Sequence, residues 1–267
     1  VTPQIRSEIT ALLERHHLKP SHRLGQHFLA DANITRRIVD LAGVGPGDQV
    51  VEVGAGTGTL TRALAATGAH VVAYEIDAGL LPVLEEVTRG LGVDLRFLDV
   101  MALDLGAELS ESPWAMVSNL PYNVGTPLLM EALRHVPKIE RFVVMVQREV
   151  AERLVAGPGG KEYGLPSVVV GLHAVGRLAF RVPPQVFLPP PRVESAVVVL
   201  DRVPAPPATE RAVEIATAGF RQRRKMLRRS LVGVLDDPVV TLERAGLDPT
   251  ARAEDLAPSD YLRLASA

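Results

Sequence analysis

At 267 residues, with 47% apolar and 22% charged residues, the chain is long enough for one full α/β domain plus a smaller unit. It has no cysteine, which excludes disulfides, iron–sulfur clusters and thiolate zinc sites and leaves oxygen groups, nitrogen groups or a cofactor to carry any chemistry. A formal charge of −2 argues against a chain that coats nucleic acid along its whole length but says nothing of local patches. No apolar stretch approaches the roughly 20 residues of a spanning helix, and no charged leader with an apolar core opens the chain. The expectation is therefore a cytoplasmic protein without a membrane partner.

Thr2-Pro3 reads as a cap with proline at the first helical position, and Ile5, Ile9, Leu12 and Leu13 continue at helical spacing. A polar stretch from Lys19 to Arg23 leads to Gly25-Gln26-His27-Phe28-Leu29. The cap Asp31 then opens a second amphipathic helix through Ile34, Ile38 and Leu41. From Asp48 onward apolar runs alternate with amphipathic segments. Strands are expected at Gln49 to Val53, His70 to Tyr74 and Asp94 to Leu98, with helices after Gly58 and through Leu80 to Val87. Further strands are expected at Ala115 to Ser118, Phe142 to Val146, Gly176 to Val182 and Val193 to Leu200, and a helix start at Thr126-Pro127. Continuous apolar strands alternating with helices imply a mostly parallel sheet covered on both faces, an α/β fold.

Pro204-Ala205-Pro206-Pro207 is the linker candidate, which sets domains at 1–203, with an N-terminal helical extension over about 1–30, and 204–267. The tail reads only as helices, expected after Thr209, Arg221, Pro238 and Pro258, and is too short for a large core of its own, so it should pack on the first domain.

Val51 to Gly58 is a strand running into a glycine-rich turn and a helix, a turn whose backbone can approach a nucleotide-like ligand closely. An ordinary strand-to-helix turn looks the same. The spacing Gly54-x-Gly56-x-Gly58, however, departs from the Gly-x-Gly-x-x-Gly of pyrophosphate sites. Glu75 ends the next strand about 20 residues on, placed to accept ribose hydroxyls. Asp99 follows the third strand, where its carboxylate can accept an adenine amino group and the Val100 amide can reach a ring nitrogen, unless Asp99 only caps the turn. Gly54, Gly56, Glu75, Asp99 and Val100 together describe a site for an adenosine-containing cofactor without a pyrophosphate, and S-adenosylmethionine fits best.

Ser118-Asn119-Leu120-Pro121-Tyr122-Asn123 ends the next strand. Adenine's amino nitrogen is a poor nucleophile because its lone pair is delocalised. The Asn119 side-chain oxygen and a backbone carbonyl near Leu120 are suited to accept its two hydrogens and favour a pyramidal nitrogen. Pro121 restricts Leu120 to extended conformations, and Tyr122 offers a ring face to an extruded base. Displacement at a sulfonium methyl needs no strong base, so none is assigned. The bland alternative is a proline turn with a buried tyrosine.

Arg221, Arg223, Arg224, Lys225, Arg228 and Arg229 occur between Phe220 and Leu231 with no acidic residue among them. On one continuous helix Phe220, Leu227 and Leu231 share a face that would dock on the first domain, leaving the basic groups outward as a candidate RNA surface. His27 with His16, His17 and His22 lacks carboxylates at ligand spacing, so no metal site is expected.

These residues resemble the KsgA/RsmA-type small-subunit ribosomal RNA adenine dimethyltransferases over essentially the whole chain. The matching runs include Gly25 to Leu29, Glu52 to Gly56, Glu75-Ile76-Asp77, Asp99, Asn119 to Asn123, Leu154 to Pro158, Phe187 to Arg192, Glu194 to Val197 and Phe220 to Lys225. The resemblance implies a Rossmann-like class I methyltransferase domain with a seven-stranded sheet and a small helical C-terminal domain. It implies methylation of two adjacent adenosines in the 3′-terminal hairpin of small-subunit ribosomal RNA, a role in assembly of the immature subunit, and a monomer. Cofactor contacts would fall on His27, Leu29, Gly54, Glu75, Asp99 and Asn119, with Gln26 in the same run as His27, and Phe187 would stack on the target base opposite Tyr122. His27 stands where many members have asparagine, and Ala55 where many have proline. The rival families are one that methylates an adenine of large-subunit ribosomal RNA, which usually has isoleucine where Leu120 stands, and a non-enzymatic subunit assembly factor.

Overall fold

The computed structural model describes residues 4–267. The expected Thr2-Pro3 helix start lies outside the described residues. Helix α1 (Arg6–Arg15) begins where the Ile5 amide donates to Glu8 Oε2 at 3.1 Å, and it buries Ile9, Leu12 and Leu13. A short turn over His22–Leu24 and strand β1 (Phe28–Leu29) follow. Helix α2 (Ala32–Ala42) is capped as its sequence expects, with Asp31 accepting from the Asn33 and Ile34 amides at 2.9 Å each.

The alternating part then runs β2 (Gln49–Val53), α3 (Thr59–Ala65), β3 (His70–Glu75), α4 (Leu81–Thr88), β4 (Asp94–Phe97), α5 (Leu105–Glu108), β5 (Trp114–Asn119), α6 (Gly125–His135) and β6 (Ile139–Gln147). It is followed by α7 (Arg148–Leu154), α8 (Leu165–His173), β7 (Ala174–Val182), β8 (Phe187–Leu188) and β9 (Ser195–Arg202). Seven strands form one sheet in the order β4-β3-β2-β5-β6-β9-β7, and β1 pairs separately with β8. The pairs β3–β4, β2–β3, β2–β5 and β5–β6 are parallel, and β6–β9 is antiparallel. Val50, Val51, Val71, Val72, Met116, Val117, Val143 and Val144 are buried, as strands covered on both faces require. Each such side chain contributes about 1.5–3 kcal/mol of burial. Strand order reverses between β2 and β5, so a crevice opens beyond the carboxyl ends of the central strands, the usual ligand position in open α/β sheets.

Contacts within the chain separate two units, residues 1–151 with 177–201, and 152–176 with 202–267. The expected boundary at 203/204 lies beside the last of the three crossings. Residues 152–176, expected in the first domain, group instead with the C-terminal helices, because their apolar side chains find partners there. Tyr163 Oη donates to the Leu256 carbonyl at 2.7 Å, and a side chain at Gly171 would collide with Pro258 at 2.6 Å. The remaining helices of this unit are α9 (Thr209–Arg221), α10 (Leu227–Ser230), α11 (Pro238–Arg244) and α12 (Pro258–Ala265). No helix among the described residues is long and apolar enough to cross a membrane.

The single helix expected from Phe220 to Leu231 is not formed. Helix α9 ends at Arg221 and a turn intervenes before α10, because the Leu227 amide donates to the Ala251 carbonyl at 2.7 Å and the Arg228 amide to Pro249 at 3.2 Å. Amides bonded outside the segment cannot continue a helical ladder. The apolar side chains pack within their own unit: Phe220 meets the Tyr163 ring edge-on at 6.1 Å, and Leu227 lies against Gly219.

Candidate functional site

The ends of four parallel strands converge on one cleft. Gly54 follows β2, Glu75 ends β3, Asp99 follows β4 and Asn119 ends β5. The cleft holds about 1070 Å³ of space including its open mouth. Gln26, His27, Leu29, Gly54, Gly56, Glu75, Asp99, Val100, Asn119, Leu120, Pro121 and Tyr122 all line it.

The glycine turn is required twice over. Gly54 and Gly56 have φ of +81° and +57°. A side chain at Gly54 would press on Pro121 at 3.3 Å, and one at Gly56 on the Phe28 ring at 3.0 Å. The turn therefore packs directly against the Asn119 to Tyr122 segment and leaves its backbone bare toward the cleft.

Glu75 is buried, and three amides hold its carboxylate: Oε1 accepts from Ile76 and Asp77 at 2.9 Å each, and Oε2 from Gly56 at 2.8 Å. Burial pushes this carboxyl above its ordinary range while the three amides pull the other way. With three of about four lone-pair directions filled, Oε2 keeps the open acceptor position. Asp99 does cap the following turn, through Oδ1 and the Met101 amide at 2.9 Å, yet it is exposed at the cleft rim and Oδ2 makes no hydrogen bond to a described residue. The Val100 amide likewise donates to no described group. The cap therefore engages Oδ1 and leaves Oδ2 at the rim.

At the reacting end, Asn119 Nδ2 donates to the His27 carbonyl at 3.2 Å. Only the amino side of a carboxamide can face a carbonyl, so this contact leaves Oδ1 as the open acceptor. The Leu120 amide is bonded to the Met145 carbonyl at 3.0 Å, whereas the Leu120 carbonyl accepts from no described residue. The Pro121 carbonyl is occupied by the Gly125 amide at 2.8 Å. Two unengaged acceptors, Asn119 Oδ1 and Leu120 O, thus stand in sequence at the cleft.

Tyr122 is half-buried with its hydroxyl 2.5 Å from Ser195 Oγ on β9, and its ring lies 5.5 Å from that of His27. Burial pushes the Tyr122 hydroxyl up, and the Ser195 bond acts against it. His27 Nδ1 lies 2.8 Å from the Pro189 carbonyl, which requires a proton on Nδ1 and leaves Nε2 as the other nitrogen.

Two expectations change. Phe187 does not reach the cleft: pairing of β8 with β1, Phe187 opposite Leu29, turns its ring into the core, where it is fully buried. It cannot face Tyr122 across a base. Gln26 lines the cleft, but its side chain is a brace, with Oε1 accepting from the Ser21 amide at 2.7 Å and Nε2 donating to Asp77 at 2.8 Å. Two residues with no role in the sequence reading enter here. Ser195 has no spacing that links it to Tyr122, because the pair is separated by 73 positions and made only by the sheet. Glu52 stands inside the glycine motif and lines the cleft, which marks it by proximity alone.

The basic segment belongs to the other unit. Arg221, Arg223, Arg224, Lys225 and Arg228 are all exposed, outward as expected. Arg223 is nevertheless engaged, with Nε on Glu254 at 2.7 Å and a guanidinium N–H on the Lys161 carbonyl at 3.1 Å. Arg224 and Lys225 have no side-chain partner among the described residues. Arg228 Nη2 rests 3.5 Å from the Met226 sulfur.

Comparison with known proteins adds a family. The model of the family described as ribosomal RNA adenine dimethylase matches residues 17–267. The ribosomal RNA small subunit methyltransferase A of Phenylobacterium zucineum is 46% identical over 259 residues, covering 96% of this chain and 90% of the relative. That of Nocardia farcinica is 45% identical over 274 residues, covering 97% and 94%. Among solved structures, the 23S rRNA methyltransferase ErmE superimposes with a TM-score of 0.70 at 26% identity, covering 90% of this chain and 98% of that one. A dimethyladenosine transferase from Plasmodium falciparum superimposes with a TM-score of 0.76 at 22% identity, covering 89% and 96%.

Proposed function

The chain belongs to the ribosomal RNA adenine dimethylase family, and from that premise we propose that it transfers methyl groups from S-adenosylmethionine to N6 of two adjacent adenosines in the 3′-terminal hairpin of small-subunit ribosomal RNA. It acts as a monomer in the cytoplasm, on the immature small subunit, and contributes to that subunit's assembly. The observation that carries the chemistry is the carboxamide of Asn119, anchored through its amino side on His27 with its oxygen left open beside the unengaged Leu120 carbonyl. The relatives at 45–46% identity support the small subunit over the large, whose representative shares 26%.

The cleft suits the cofactor by its charge. Glu52, Glu75 and Asp99 are the acidic residues that line it, and no lysine or arginine does, which favours a cationic ligand over one bearing a pyrophosphate. Bound there, S-adenosylmethionine would supply an electrophilic methyl group on its sulfonium. Glu75 Oε2 would accept a ribose hydroxyl, Asp99 Oδ2 the adenine amino group, and the Val100 amide would donate to a ring nitrogen. The bare backbone at Gly54 and Gly56 would accommodate the chain between.

Asn119 Oδ1 and Leu120 O accept the two hydrogens of the target amino group and hold its lone pair out of conjugation. They act by preorganisation, since the His27 and Met145 contacts fix both groups before the base arrives. Tyr122, held by Ser195, presents a ring to the extruded base. Arg221, Arg223, Arg224, Lys225 and Arg228 bind the RNA backbone, with Arg224 and Lys225 the most available. The deciding experiment supplies labelled cofactor with undermethylated small subunits or with large subunits. Label is expected on adenosines of the small-subunit RNA alone. Label on the large subunit, or on neither, would overturn the assignment.

A further inference from the structure

The chain entering α1 carries two polar side chains whose contacts go beyond the docking of that helix. Ile9 and Leu13 already bury α1 in the core cluster that includes Phe28, Leu60 and Phe187. Gln4 is fully buried, and its Oε1 accepts the Thr59 hydroxyl at 2.7 Å while its Nε2 has no partner. Burying a carboxamide with its amino side unpaired is costly, so the bond to Thr59 is the polar interaction that offsets it. Thr59 opens α3 directly after the glycine turn and lines the cleft, as does Thr57, whose hydroxyl lies 3.5 Å from that of Thr59.

Arg6, two residues on, holds a different segment. Its Nη2 donates to the Gln185 carbonyl at 2.6 Å and to the Phe187 carbonyl at 2.8 Å. That segment supports the reacting end of the cleft. The Val186 carbonyl accepts from the Ala30 amide at 2.8 Å, β8 pairs with β1, and the Pro189 carbonyl accepts from His27, whose own carbonyl takes the amino side of Asn119. Residues 4–6 therefore tie the element that follows the glycine turn to the segment that aims Asn119.

Resting on the reading of the cleft as an S-adenosylmethionine site, we propose that Gln4 and Arg6 are positioning residues for methyl transfer. Gln4 fixes the start of α3 beside the cofactor, and Arg6 fixes residues 185–189 behind His27 and Asn119. Between them they hold the methyl donor and the acceptor nitrogen in register while touching neither. Displacement at a methyl group depends steeply on the separation and alignment of its partners, and a shift of about 1 Å can cost on the order of a hundredfold in rate.

The two tethers act on different steps, and calorimetric cofactor affinity with single-turnover rates on undermethylated small subunits at saturating cofactor separates them. Gln4→Ala is expected to weaken S-adenosylmethionine binding about fivefold, the usual worth of one hydrogen bond, with a smaller change in the saturated rate. Thr59→Val should weaken it too, and adding Gln4→Ala to Thr59→Val should cost little more, because the two residues share one bond. Arg6→Ala is expected to lower the saturated rate about tenfold while cofactor affinity stays within about twofold. Arg6→Lys, which keeps a single donor group, should recover part of that rate. In an Asn119→Ala background Arg6→Ala should add little further loss, since its effect reaches the chemistry through Asn119. A merely structural helix would behave otherwise. Parental affinity and rate in both single variants overturn the proposal, and so does an Arg6→Ala loss that adds in full to that of Asn119→Ala. Failure of the wild-type chain to bind S-adenosylmethionine overturns the cofactor reading instead. Should Arg6→Ala not fold, Arg6→Lys in the two backgrounds decides the same question.

Discussion

The cleft at the strand ends and the basic turn between α9 and α10 carry opposite charge and are built on opposite plans. In the cleft, Glu75 is buried and Asp99 caps a turn, and backbone amides set the orientation of both carboxylates before any ligand arrives. In the turn, cations stand exposed, and Arg224 and Lys225 have no side-chain partner among the described residues. A small ligand bound once per turnover rewards preorganisation, because every fixed dipole saves reorganisation at the moment of reaction. A phosphate backbone rewards accessible charge, since affinity there comes from released counterions rather than exact geometry. The net charge of −2 conceals this division, because the two signs cancel across the chain.

The comparison is broken most severely at Asn119. Asn119→Ala is expected to lower turnover on the order of a hundredfold or more while RNA affinity changes little, because the role proposed for the lost group is at the reacting nitrogen. Single-turnover rates with separately measured RNA affinity check it, and near-normal turnover would refute the role.

A smaller loss is expected from the rim and wall carboxylates. Glu75→Ala should weaken cofactor affinity more than Asp99→Ala, since it removes an anchor for three amides of two loops as well as a ligand group. About tenfold or more is expected for Glu75→Ala, with the fold retained. Equal, unchanged affinities by calorimetry would remove both residues from the site.

On the basic side, neutralising Arg224, Lys225 and Arg228 should weaken RNA binding and flatten the slope of log affinity against log salt by about 0.7–0.9 per lost phosphate contact. Cofactor affinity should not change. Arg223 is a poorer probe, because its substitution also releases Glu254 and the Lys161 carbonyl. A parental salt slope in the triple variant would make the turn a structural surface only.

The last effect is on stability rather than on turnover or binding. The folded-state value of Glu52 is raised from 4.5 to about 8, so its contribution is fully present below about pH 4.5 and is lost as pH rises through about 8. Without ligand, the unfolding midpoint of the wild-type chain should therefore fall over that window relative to Glu52→Gln, which has no such proton. Parallel pH curves for the two proteins would show that Glu52 ionises alike in the folded and unfolded chains.

Much of this was legible in the sequence because it depends on neighbours along the chain. Strand and helix positions follow apolar periodicity, and the order of glycine turn, Glu75, Asp99 and Asn119 follows from four strand ends in a parallel sheet. The Asp31 cap and the left-handed glycines are local matters of dihedral angle and hydrogen-bond reach. The continuous helix at 220–231 was misread for the converse reason, since amides bonded to Ala251 and Pro249 interrupt a pattern that its own residues would support.

What the sequence by itself determined is therefore the sheet, the cleft's position and the kinds of group that line it. Tertiary structure alone decided how those groups point. Asn119 offers its oxygen because a carbonyl 92 residues away takes its amino side. Tyr122 is steadied by a serine on a distant strand, and Phe187 is turned into the core by its pairing with Leu29. Residues 152–176 join the helical unit for a partner found only after 202. Each of these depends on contacts between segments far apart in the chain, whose register and side-chain direction are fixed by packing and not by local preference.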